Sequence, residues 1–431
     1  FRQHISAFHR RRAIENPMND YDRRTFLRRT AAAGIAASTA SLSLPSPADA
    51  AALSTKTNLD DPLGVRAQFP VTQELAYLNT ASQGPMPRPV QEAVTAYAEE
   101  RMTFRDPTRQ QATFERARER FASLFGAERD EVAFLYSTSD AENLVANAID
   151  WKPGDNLVVD ELHFVTAFVV FRELERRAGV ELRIVPAVDG RARPEDYAAR
   201  TDARTRLISV AWVSNRNGFR HHLPTLAEIV HARGGYLYAD GIQAFGTFPT
   251  NLHAEGVDFA CGNGYKWLFA DFGCAPLYVR RKHLDWMQPD RFGHGQVAET
   301  LPDNRYELTR TASKFEYANP SHASIAAMDA ALGFVTDVGL DRIARHTHNL
   351  AGDLRNELVG LGRNLFTPAD NPSSIVSCYH DLDPEVLGSA LAREGVRFTF
   401  QEDGKLLRIA VGMFNNRDDV DRLLQIIARM V

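Results

Sequence analysis

From residue 131 to residue 279, short apolar runs alternate with stretches of helical periodicity. That alternation restricts the chain to a mainly parallel sheet covered on both faces by helices. The apolar runs span 131–136, 156–160, 181–185, 206–213, 236–240, 257–261 and 272–279. Runs of this length, bounded by Gly, Asn or Asp, fit strands buried on both sides. Sheets of this kind bind ligands in the crevice outside the carboxyl ends of their strands. Chemistry is therefore expected in the residues that follow each run. Pro276, inside the last run, predicts an edge or irregular strand.

Two of those positions carry complementary groups. The run 257–261 breaks into Gly262-Asn263-Gly264 and presents Lys266, with Trp267-Leu268 closing behind it. An isolated lysine at a strand end ordinarily snorkels to water. One set between a buried strand and an aromatic-apolar pair loses that water, which lowers its pKa and favours an amine able to condense with an aldehyde. The run 236–240 ends in Asp240, whose carboxylate points into the same crevice. Opposite a pyridinium nitrogen, a carboxylate holds the ring proton and keeps the ring an electron sink. Alone, Asp240 reads equally well as a helix cap. Paired with Lys266, it points to pyridoxal phosphate (PLP). Ser137-Thr138-Ser139 stand where the first strand turns into a helix, a ready anion site, although plain capping is the commoner use of such a triplet.

Ser214-Asn215-Arg216-Asn217-Gly218, Asp240-Gly241-Ile242-Gln243-Ala244 and Gly264-Tyr265-Lys266-Trp267-Leu268, in this order, resemble the class V aminotransferases. These are fold type I PLP-dependent enzymes, a group that includes cysteine desulfurases, kynureninases and isopenicillin N epimerase-like enzymes. The resemblance runs from about Leu78 to the C-terminus. It implies an α/β fold of the PLP-dependent transferase type. A large domain over 78–295 would hold a mainly parallel seven-stranded sheet between helices, preceded by an arm over 51–77. A small α+β domain would follow over 296–431.

The same resemblance assigns roles. Lys266 forms the Schiff base and moves protons, Asp240 meets the ring nitrogen, and His163 stacks on the ring face, with Phe164 in its place if the register slips by one. Thr138 and Ser139 fall on the cofactor phosphate. Asn263 and Tyr265 fall beside it, Asn263 departing from the family's Ser. Gln243 and Asn215 fall on the phenolic oxygen. Arg408 matches the guanidinium that grips a substrate α-carboxylate bidentately, and Asn215 and Asn79 line the substrate side. The segment Phe315–Ser321 resembles one that crosses to a partner subunit, which implies a homodimer with shared sites and Asn319 near the phosphate. The substrate implied is a small amino-acid-type molecule. No metal-ligand spacing occurs.

The chain has three cysteines, Cys261, Cys274 and Cys378, an odd number that supplies no disulfide framework. Desulfurases of the group use a cysteine on a mobile loop shortly before the strand bearing the carboxylate arginine. Here residues 398–404 contain none. That absence excludes desulfurase chemistry. The resemblance, by family frequency alone, puts transamination first, with epimerisation or β-elimination as alternatives.

Before the fold comes a leader. Met18 reads as a start. Asp22-Arg23-Arg24-Thr25-Phe26-Leu27-Arg28 resembles a twin-arginine export signal, followed by an Ala-rich apolar run over 31–44 and an A-x-A site at Ala48-Asp49-Ala50. The run is too short for a membrane span. The expectation is a soluble enzyme carried by the twin-arginine machinery to the periplasm or outside the cell. A class V enzyme so exported resembles periplasmic enzymes that modify pyoverdine siderophores, so a siderophore precursor peptide is a further substrate expectation. The net charge is −5 over 431 residues and no basic patch stands out, which argues against a nucleic-acid partner.

Overall fold

The computed structural model describes residues 61–106 and 108–430. The twin-arginine motif, the apolar run after it and the A-x-A site lie outside the described residues.

The strands are β1 (Ala76–Tyr77), β2 (Val132–Leu135), β3 (Asn156–Asp160), β4 (Glu181–Val185), β5 (Thr205–Ala211), β6 (Tyr236–Asp240), β7 (Phe259–Cys261), β8 (Ala275–Val279), β9 (Val297–Thr300), β10 (Tyr306–Leu308), β11 (Asn364–Leu365), β12 (Ile375–Tyr379), β13 (Val396–Arg397), β14 (Thr399–Gln401) and β15 (Leu406–Ala410). The helices that matter below are α1 (Arg88–Thr103), α2 (Arg109–Phe125), α3 (Thr138–Ala148), α4 (Val165–Ala178), α5 (Pro194–Arg200), α6 (Leu223–His231), α7 (His322–Val338), α8 (Leu340–Gly360), α9 (Pro384–Arg393) and α10 (Arg417–Arg429). Among the described residues no single helix is long and apolar enough to cross a membrane.

Seven strands form one sheet in the order β2-β8-β7-β6-β5-β3-β4. All pairings from β4 to β7 are parallel, and β8 runs antiparallel to both of its neighbours. Successive residues alternate between two cores. Ala239, Ala260, Val158 and Ile208 pack into one, whereas Tyr238, Phe259, Leu157 and Leu207 pack into the other. A sheet buried on both faces is what the uninterrupted apolar runs require. One core takes Phe114, Ala117, Phe121 and Phe125 of α2, which recur at helical spacing. A second, four-stranded antiparallel sheet in the order β11-β12-β15-β14 packs on α8 and α10 through a third core that includes Leu354, Ile409 and Leu423.

One sequence expectation changes here. Pro276 lies on β8, an interior and fully buried strand rather than an edge. It is tolerated because it faces Phe134 across a pair that exchanges no bonds, the Phe134 N–H going instead to Glu316 Oε1 at 2.7 Å. The backbone of Pro276 turns toward the end of β7, where its carbonyl accepts from the Gly262 N–H at 3.4 Å. After the last apolar run of the large sheet, the chain also forms the hairpin β9–β10. Every residue of β9 is exposed, so no apolar alternation marked it in the sequence.

Candidate active site

Asp240 ends β6, and Lys266 stands on the turn that follows β7, its parallel neighbour. The two turns touch. A Cβ on Gly262 would lie 2.7 Å from the Ile242 nitrogen and 2.8 Å from the Gly241 carbonyl carbon, so only glycine lets the backbone after β7 close against that after β6. The Gly241 N–H donates to the Cys261 carbonyl at 2.7 Å and fixes that contact. Lysine and carboxylate thereby line one cavity of about 100 Å³, together with the α3 N-terminus and Asn215.

Both charged groups are buried, and each is shifted accordingly. Burial pulls Lys266 down to about 8, opposed by Asp240 and aided by Arg408. Burial raises Asp240 to about 6, opposed by the Ile242 N–H, which donates to its Oδ1 at 3.0 Å, and by Lys266. Near neutral pH this lysine is therefore far easier to deprotonate than a surface one.

Thr138, Ser139, Asn263 and Tyr265 all line the cavity. Ser137 caps α3, its hydroxyl accepting from the Asp140 N–H at 3.2 Å. Thr138 Oγ1 accepts from the Asn263 N–H at 3.0 Å, which joins the helix start to the lysine turn. Tyr265 stacks on Phe272 with centroids 4.1 Å apart. Gln243 is anchored at both ends of its amide: Nε2 donates to the Ala81 carbonyl at 2.9 Å, and Oε1 accepts from Trp267 Nε1 at 2.6 Å.

Three expected placements are corrected. The aromatic on the cavity wall is Phe164, whose ring centroid lies 5.9 Å from Lys266 Nζ. His163 is buried behind the wall, with Nε2 3.1 Å from Ser209 Oγ and Nδ1 accepting from the Phe164 N–H at 2.8 Å. Burial holds its pKa down to about 4. Asn79 does not line the cavity. Its Oδ1 accepts from the Thr399 hydroxyl at 2.5 Å, and Thr399 in turn meets Ser82 at 3.1 Å. Asn319 lies in a neighbouring cavity with Tyr136, Arg291 and Tyr317, its Oδ1 3.1 Å from His294 Nε2.

Arg408 on β15 is 4% exposed and forms no ion pair with any described residue. Its Nη1 donates to the Asn215 carbonyl at 2.9 Å, its Nη2 to Ser82 Oγ, and its Nε has no partner. Burial lowers its pKa to about 10. A buried guanidinium without a counter-ion favours an anionic ligand strongly. Ser82 and Glu142 were missed in the sequence. Ser82 reaches the site only through tertiary contacts, whereas the four-residue spacing from Thr138 on one helix was a signal for Glu142.

The residues present fit PLP. The cavity has an amine, an acid and a hydroxyl-rich helix start, and Asn215 Oδ1, Asn263 Oδ1 and Arg408 Nε are buried polar atoms without partners among the described residues. Sheet order, lysine turn and acid at the end of β6 define a fold type I PLP-dependent transferase, with pyridoxal phosphate as cofactor. The chain belongs to the class V aminotransferase family, whose sequence profile (aminotransferase class-V) matches residues 76–423. A probable cysteine desulfurase of Methanothermobacter thermautotrophicus is 26% identical over 83% of this chain and 95% of its own length. A cysteine desulfurase of Escherichia coli O127:H6 is 28% identical over 84% of this chain and 96% of its own. Among solved structures, the apo cysteine desulfurase of Thermococcus onnurineus NA1 superposes with a TM-score of 0.79 at 22% identity, covering 90% of this chain and 99% of that one. The cystine C–S lyase C-DES, in complex with its product cysteine persulfide, gives 0.78 at 18% identity, covering 84% and 100%.

These relatives correct the sequence reading of function. Exclusion of desulfurases rested on one missing loop cysteine, and transamination was placed first only by its frequency in the family. Relatives named as cysteine desulfurases match across more than four-fifths of the chain.

Proposed function

We propose that this protein cleaves the carbon–sulfur bond of cysteine or a closely related sulfur amino acid. The observation that carries the proposal is the buried, unpaired Arg408 beside the cavity of Lys266 and Asp240, in a chain whose relatives are cysteine desulfurases. When bound, PLP draws electrons from the substrate α-carbon, which loosens bonds at that carbon and its neighbour. Arg408 receives the substrate carboxylate and orients the α-carbon. Lys266 would hold the cofactor covalently and, as a free amine, would move the proton at that carbon; its depressed pKa suits it to both directions. Asp240 holds the ring-nitrogen proton.

All three thiols of the chain are buried, and burial raises the pKa of each. Residues 399–410 form a tight β14–β15 hairpin turned by Glu402, Asp403 and Gly404. With no thiol of the chain placed to take the sulfur, either a thiol from outside the chain takes it or it leaves directly as sulfide. Two balanced outcomes follow. Cysteine and two thiols give alanine, sulfide and a disulfide; cysteine and water give pyruvate, ammonia and sulfide. The test incubates PLP-loaded protein with L-cysteine or L-cystine, with and without dithiothreitol, and measures sulfide, alanine and pyruvate. Sulfide with one of the two carbon products is expected. Absence of sulfur release from both substrates, with the cofactor visibly bound, sinks the proposal.

The assembly proposed is a homodimer. Tyr136, Phe272, Phe292 and Tyr317 are exposed aromatics near the cavity that holds Asn319, an arrangement suited to a second copy. For the leader, twin-arginine export to the periplasm remains the proposal. Recovery of the chain only from the cytoplasm with its leader intact would count against it.

A further inference from the structure

One acid in the cavity has no part in the chemistry above. Glu142 lies on α3, four residues after Thr138 and so on the same helical face. It is 3% exposed and lines the cavity of Lys266 and Asp240. One carboxylate oxygen each from Glu142 and Asp240 and a ring nitrogen of His163 lie within 4.8 Å of one another. Asp240 and His163 each have hydrogen-bond partners. Glu142 forms no hydrogen bond or ion pair with any described residue. A buried carboxyl left unpartnered and aimed into a ligand cavity is costly if ionised.

Its surroundings decide its charge. Asp240 and Tyr238 face it from β6, Cys261 from β7, Lys266 from the turn beyond, and His163 from the segment after β3; Asp140 is near on its own helix. His163 is held neutral by burial. Tyr238 and Cys261 are pushed well above their ordinary values by burial. Lys266 is the one cation in this set. Two carboxyls this close in a buried space do not both ionise freely, so one proton belongs to the pair. Burial pushes both carboxyls up. Asp240 accepts the Ile242 N–H and feels the Lys266 charge, both of which favour its ionised form; Glu142 has neither support, so the proton falls to Glu142.

We propose that Glu142 is a positioning residue for the cofactor: it keeps the shared proton, stays neutral at working pH, and leaves Asp240 as the ionised partner of the ring nitrogen. That end of the cavity then carries one negative charge, matched to one pyridinium. Ionisation of Glu142 in alkaline solution adds a second negative charge there, strengthens the hold on the ring proton and changes the cofactor's absorbance. The proposal rests on the cofactor and not on the sulfur substrate.

The test uses PLP-loaded protein without substrate. Visible absorbance is titrated against pH for wild type, Glu142→Gln and Glu142→Leu, and PLP affinity is measured by dialysis at neutral pH. The expected result is one alkaline inflection fewer in both variants, with Glu142→Gln holding PLP within about twofold of wild type, a difference of under about 0.5 kcal/mol. The Leu variant carries the inflection test if the Gln variant misfolds. Identical titrations overturn the proposal. So does a loss of PLP affinity of about tenfold or more in a folded Glu142→Gln, which would mean an ionised Glu142 on the cofactor. Zn²⁺ alone raising the melting temperature of apo wild type but not of Glu142→Gln also overturns it, in favour of a cation site. Missing sulfur release alongside the expected inflection sinks only the substrate reading, and the converse sinks only this one.

Discussion

Arg408 is held by a carbonyl and a hydroxyl, and no carboxylate of the described residues offsets its charge. Its planar fork is set to take a carboxylate through two parallel bonds, which lysine cannot reproduce. Arg408→Lys is expected to raise KM for cysteine by roughly tenfold to a hundredfold, the loss of about 1.5–3 kcal/mol for a hydrogen bond to a charged group. kcat should change less, because the lysine turn is untouched; steady-state kinetics separate the two. An equal fall in kcat and kcat/KM would place Arg408 on the reacting atoms instead. At this scale the sequence was legible where one motif brings its own partner. Lys266 and Asp240 follow adjacent parallel strands, so strand order alone sets them side by side. Glu142 was within reach of helical spacing from Thr138, but Ser82 and the exchange of His163 for Phe164 were illegible. Each depends on which way a helix or loop rolls, and that is decided by packing rather than by periodicity.

At the scale of elements, the turns around the crevice are clamped backbone to backbone. The Gly84 N–H donates to the Tyr265 carbonyl at 2.9 Å, and a Cβ on Gly84 would stand 2.0 Å from the Lys266 carbonyl oxygen. Backbone cannot rotate away as a long side chain does. Gly84→Ala should therefore displace the lysine turn. The expected cost is about 1–3 kcal/mol, typical of overpacking, with faster loss of PLP on dilution, read as decay of visible absorbance. Unchanged retention of PLP would show that the turn is held by something other than this contact. The seven strands were readable because both faces are buried and the apolar runs are unbroken. The β9–β10 hairpin was not, since its first strand is exposed throughout. Pro276 misled for a different reason: whether a missing N–H matters depends on which neighbour it faces, and only the register reveals that.

For the whole molecule, the exposed aromatics near Asn319 set a test of assembly. Light scattering should return twice the chain mass, and Tyr136→Glu combined with Tyr317→Glu should shift it toward the monomer, since charges in an apolar interface lose hydration without partners. A wild-type monomer at micromolar concentration would dismiss the dimer. One last feature bears on how such a molecule survives crowding. β2 is a border of the large sheet, and its outward Val132 carbonyl and Phe134 N–H are taken by Arg118 and Glu316, which are themselves paired at 3.0 Å. Bare strand borders recruit further strands and seed aggregates. Here two side chains occupy groups that a further strand would need, which blunts this rim against stray chains.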